Sequence, residues 1–203
     1  MNQPLLLVER IEFEVVKIEA SRTIDVETHE AFPQIKSDFN KFELFVRSQL
    51  DYPDTEAADP VHFRFVYGIR LGKPTKPTFA APPYCVEIEA VGYFRYAGKE
   101  AHVGAGRFRA VRFTGYQILY GAIREMVANV TARGPNGLWH LPGRNFHGVA
   151  EAMSEKDEAA RQTRLLQLTS PEQSASASAK DPEAPTKKAR IKKAKASPSM
   201  TNL

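Results

Sequence analysis

Five histidines, one cysteine and a few closely spaced acids are the residues that could do chemistry in this chain of 203 residues. A metal centre needs ligands at short, repeated spacings. His29, His62, His102, His140 and His147 are scattered singly, and Cys85 alone cannot supply a zinc knuckle. Glu87 and Glu89 stand two residues apart, which places both on one face of a strand. Such a pair could work as acid and base, or simply line the solvated side of a sheet. The stretch "GAGRFRAVRF", from Gly104, is not the glycine-rich turn between strand and helix that cradles phosphates. No nucleophile elbow is present either. The sequence therefore predicts no enzyme, no metal and no cofactor. The single cysteine rules out a disulfide within the chain and fits a reducing, cytoplasmic setting.

Elements must hold whatever surface does the work, and their periods are legible. Residues 8–20 and 22–28 alternate apolar and polar side chains, with Ile11, Phe13 and Val15 set against Glu12 and Glu14. "DFNKFELFVRSQL" places Phe42, Leu44 and Val46 on one face. "VHFRFVYGIRL" does the same for Val61, Phe63, Phe65, Tyr67, Ile69 and Leu71, and "YCVEIEAVGYFRYAG" follows as a further strand. Period two means strand. The connections between these strands are rich in Pro and Asp rather than helical, which predicts antiparallel pairing.

Helices follow the strands. Ile118, Leu119, Ala122, Ile123, Met126, Val127 and Val130 form one apolar face. Gly134 is placed as the cap of that helix and Pro135 as its stop. A second helix is expected from about Phe146 to Leu168. Strands first and helices last describe an α+β fold. Between the helices lies a twelve-residue run, Gly134 to Asn145, that has no period and holds the only Trp. Loops of this length are usually functional or disordered.

Aromatic residues say more than the titratable ones. Phe39, Phe42, Phe45, Tyr84 and Trp139 fall near strand ends or in the loop, where they could build a half-open apolar groove or pack conventionally. Charge is just as uneven. Residues 171–203 carry 7 Lys and Arg against 3 Asp and Glu, which accounts for the whole net charge of +4. The body is neutral and is not a general nucleic-acid binder by charge. The Ser-, Ala- and Lys-rich tail is expected to be disordered; it is either a solubilising extension or a contact for nucleic acid, ribosome or anionic lipid. No run approaches the ~18 apolar residues of a membrane span, and the first residues do not form a signal peptide.

The segment "ILYGAIREMVANVTARGPNGLWHLPGRNF" resembles the C-terminal half of the SecB protein-export chaperones. Arg124-Glu125, Arg133-Gly134 and Asn145-Phe146 fall where that family has the same pairs, separated by a loop of the same length. Phe94, Ala97 and Gly98 match the end of its cysteine-containing strand. The resemblance covers about residues 8–155 and implies a four-stranded antiparallel sheet followed by two helices. Residues 1–155 would then be the chaperone domain, 156–169 the end of the last helix and 170–203 the basic tail.

By the same resemblance the chain would assemble as a homotetramer, a dimer of dimers. It would hold unfolded preproteins without ATP and pass them to SecA. Phe39, Leu44, Tyr84, Val86, Ile88, Trp139 and Leu141 would line the client groove, although Tyr84, Val86 and Ile88 would equally suit a buried sheet face and Trp139 a packed anchor. Glu87, beside Cys85 on the opposite face, matches an acid that contacts SecA. The Gly and Pro residues of the loop would let it shift beside the groove. Export members of the family are usually acidic, whereas this body is neutral. The alternatives are a SecB-like chaperone dedicated to one antitoxin of a toxin–antitoxin module, or a nucleic-acid or ribosome-associated binder that acts through the basic tail.

Overall fold

The computed structural model describes residues 5–22, 28–29, 32–35, 38–53, 59–98 and 102–169. Its main sheet has four antiparallel strands: β1 (Leu6–Ala20), β4 (Leu44–Asp51), β5 (His62–Leu71) and β6 (Tyr84–Tyr96), in the order β1-β6-β5-β4. Two short strands, β2 (Thr28–His29) and β3 (Phe32–Ile35), pair separately. Two helices follow, α1 (Ala105–Thr131) and α2 (His147–Thr169). The fold is α+β, a four-stranded antiparallel sheet followed by two helices. Most of the strand expected over 22–28 and the whole tail from residue 170 lie outside the described residues.

Alternation builds the sheet as the sequence implies. Phe63, Phe65, Tyr67, Ile69 and Leu71 of β5 face α1 and are buried, in register with Phe94, Gly92, Ala90, Ile88 and Val86 of β6. Strand β1 departs from simple alternation. Phe13 pairs with Ala90 but Val15 pairs with Glu89, because the register slips between them. A bulge of this kind sends the residues after it to the other face. Val15 therefore lies on the outer face, not beside Ile11 and Phe13.

Helix α1 starts well before its apolar period does. Leu119, Ile123 and Val127 are buried as expected, but Val130 is exposed. The N-terminal half turns Arg107 and Arg112 inward as well as Phe108 and Val111. Arg107 lies over the Tyr96 ring and donates to the carbonyls of His102, Asp59 and Pro60. A cation can be buried when its donors are satisfied this way, and its presence on the inner face hides the helical period. Gly134 does not end the helix in a left-handed conformation; that geometry belongs to Gly137, at φ 79°. Gly134 lacks a side chain for another reason: a Cβ there would collide with the Tyr84 hydroxyl.

Candidate functional site

Strand β4 is an edge of the sheet, paired only with β5 among the described residues. Leu44 opens its inner face and is 38% exposed. Just before it, the chain makes a 3₁₀ turn at Phe39–Lys41, capped by the Asp38 carboxylate, which accepts from Asn40 N at 3.1 Å. The turn projects Phe39 over the indole of Trp139, stacked at 5.2 Å and 13°. Between this turn, the end of β5 and the loop from α1 to α2 lies a groove of about 180 Å³. Its apolar walls include Phe39, Leu44, Leu71, Tyr120, Leu141 and Pro142, and Asn40 and Arg144 supply its polar groups.

Hydrogen bonds tie down the loop that forms one wall. The Tyr120 hydroxyl donates to Pro142 O at 2.6 Å and Arg124 Nε to Leu141 O at 3.0 Å. Trp139 N donates to Thr131 Oγ1 at 3.0 Å, and the Tyr84 hydroxyl donates to Gly137 O at 2.9 Å while accepting from Asn136 N. Asn136 Nδ2 reaches back to Pro83 O at 2.7 Å. Each bond satisfies a polar group that the apolar surroundings would otherwise penalise. The expected freedom of the loop to shift is thus corrected: its glycines let it approach Tyr84 and turn, and its backbone is pinned.

The structure gathers some of the expected groove residues and separates others. Phe39, Leu44 and Leu141 meet in the groove. Trp139 lies underneath as the anchor on which Phe39 rests, with Phe42 and Tyr84 at its edges. Tyr84, Val86 and Ile88 are sealed in the core beneath α1. They share a face, as alternation requires, but that face is covered within the single chain, so the assignment of these three to an open groove is corrected. Burial raises the Tyr84 phenol above its ordinary value, with the Asn136 hydrogen bond opposing. Leu71, Tyr120, Pro142 and Arg144 were missed by sequence reasoning. The end of the long β5 alternation and the non-periodic loop were the available signals for three of them.

Cys85 and Glu87 point to the outer face, half-buried and exposed respectively. Glu87 is flanked in register by Lys17 on β1 and Arg70 on β5. Nearby, a shallow hollow of about 230 Å³ is lined by Val15, Phe45, Arg47, Arg70, Glu87 and Glu89. Its charges are largely answered locally: Arg47 meets Glu89 at 3.3 Å and Arg70 lies 5.0 Å from the Phe45 ring centre. The outer face is therefore mixed in charge rather than acidic. Among the described residues, no three His, Cys, Asp or Glu side chains gather as a metal-binding group, and no helix is long and apolar enough to cross a membrane.

No family model and no curated protein matches the chain in sequence. Among solved structures, it is similar to a SecB-like chaperone of Mycobacterium tuberculosis in complex with a ChAD peptide from the HigA1 antitoxin. That likeness has 15% identity and a TM-score of 0.45, over 69% of this chain and 88% of the other. A protein of unknown function from Streptococcus agalactiae is similar at 12% identity and a TM-score of 0.35, over 69% of this chain and 97% of that one.

Proposed function

We propose that the chain is an ATP-independent holdase of SecB-like kind, which binds apolar segments of unfolded polypeptides. The observation that carries this reading is the open apolar groove at the β4 edge. A holdase needs apolar surface that stays accessible while its own core is closed, and Phe39 and Leu44 provide it above the buried Trp139. The resemblance of the helix–loop–helix segment to the SecB family supports the same reading. In this reading the protein catalyses no reaction and takes no cofactor. It works in the cytoplasm as a homotetramer, whose several weak sites gain by effective concentration on one long client.

Two versions of that function differ in the client. An export chaperone would carry preproteins to SecA and would use an acidic outer face. Here Lys17 and Arg70 neighbour Glu87 in register, so electrostatic steering toward a basic partner is weak. That local compensation favours the other version, a chaperone dedicated to one partner such as an antitoxin.

Aggregation of an unfolding client, followed by light scattering, tests the common claim. Suppression is expected at equimolar tetramer, and no suppression at any ratio removes the holdase reading. Capture from the native host then separates the versions: one dominant partner supports dedication, and a broad set of preproteins together with SecA supports export.

A further inference from the structure

The groove has a definite size and a definite charge, and together these describe what it takes. A dry cavity of about 150 Å³ lined by aliphatic side chains holds one benzene ring. Open space of about 180 Å³ therefore suits one large apolar side chain. No Asp or Glu lines the groove, whose polar groups are Asn40 and Arg144. The two acids that flank lining residues in sequence are engaged: Asp38 accepts from Asn40 N at 3.1 Å, and Glu43 Oε2 accepts from the Thr75 backbone N and Oγ1, both at 2.8 Å.

Arg144 differs from most arginines of the molecule. Arg47, Arg64, Arg109 and Arg112 each meet a carboxylate. Arg144 is exposed and lies 5.9 Å from the Phe146 ring centre, with no carboxylate within ion-pair distance among the described residues. Other side chains bond the neighbouring loop carbonyls, Arg124 to Leu141 O and Tyr120 to Pro142 O. Its positive charge is felt at both Tyr67 and Tyr120, whose phenols burial raises and Arg144 lowers. A cation thus stands beside an apolar recess, with no carboxylate partner among the described residues.

We propose that Arg144 makes this groove selective for an extended polypeptide segment in which one large apolar or aromatic side chain is neighboured by a carboxylate. The apolar group fills the recess and the carboxylate pairs with the guanidinium, whose planar fork suits it. This rests on the holdase reading for the use of the groove and narrows the client class within it.

The test uses the full-length protein and three fluorescent peptides that differ at one position, Asp, Asn or Lys beside a single Phe. Affinity is expected to fall in that order, by about tenfold from Asp to Lys at low salt. Arg144→Glu should reverse the order and Arg144→Gln should flatten it. The position is exposed, so both variants should keep the native unfolding temperature. Every variant retains the basic tail, so a reversal cannot arise from the tail. An unchanged order in Arg144→Glu, or equal binding of all three peptides, overturns the selectivity alone. Failure of every peptide to bind overturns the holdase reading and the selectivity with it.

Discussion

The Arg112 guanidinium is 2% exposed and lies between the two helices and the sheet. It makes a two-pronged contact with the Asp157 carboxylate of α2, whose second prong, Nη2 to Oδ1, measures 2.8 Å. It also donates to the Tyr116 hydroxyl at 3.2 Å, which in turn meets Ser48 Oγ of β4 at 2.9 Å. The chain of contacts runs from α2 through α1 to the edge strand. Removing one member of a buried pair strands the other charge, which costs about 3–5 kcal/mol. Asp157→Ala should therefore lose that much in urea unfolding, while replacing Arg112 and Asp157 together by Met and Leu should cost far less. Equal losses would show that the ion pair does not act as a unit. A neighbouring acid sets a pH dependence. Glu158 accepts from Arg161 and Gln162, and these bonds, Arg161 first, hold its carboxyl below the ordinary 4.5. A depressed carboxylate contributes stability that is present above its unfolded value and lost as pH falls through the folded one. Unfolding followed from about pH 6 down to about pH 3 should show that loss, and Glu158→Gln should flatten it.

At the scale of elements, the loop between the helices and the strand edge beside it divide stability from binding. Trp139 is buried against Phe39, Phe42 and Tyr84, so Trp139→Ala should cost about 3–5 kcal/mol and loosen the groove wall. Leu44, by contrast, is 38% exposed at the mouth of the groove. Leu44→Asp should change the unfolding temperature little and still abolish protection of an aggregating client; retained protection with a charge at this position would move the site elsewhere. The sequence made the loop visible, because a long non-periodic run between two clear helices has no cheap explanation. It also assigned Tyr84, Val86 and Ile88 correctly to one face of β6. What it could not say is which face a helix covers, since period two reports sidedness and not depth. The beginning of α1 was hidden for a related reason. Arg107 and Arg112 occupy inward positions where the apolar period should continue, and their partners come from segments far away in sequence. The bulge in β1 was invisible too, because only pairing with β6 reveals that Phe13 and Val15 part company.

Among the described residues, one flank of the inner face is left uncovered. Val16 pairs with Ile88, so the two side chains point the same way, yet Ile88 is 1% exposed and Val16 is 47% exposed. Val8, paired with Phe94 on that face, is likewise 46% exposed while Phe94 is sealed. Helix α1 therefore reaches β1 without covering these two positions. Ile11, Phe13 and Ile18 are only partly buried along the same strand. An apolar strip of this length, beside a strand edge with no partner among the described residues, is a liability in a lone monomer. A second copy laid against β1 would remove both the apolar exposure and the open edge, in keeping with the proposed dimer of dimers. A charge placed in such a contact has no partner and loses its water, a penalty of several kcal/mol. Val16→Asp should therefore lower the mass measured by light scattering during size-exclusion chromatography toward that of one chain. The variant should keep its helical and strand content, because the side chain already faces solvent in the single chain. If native protein and variant both run as one chain of 22.7 kDa, β1 is not an assembly surface and the strip must serve another partner.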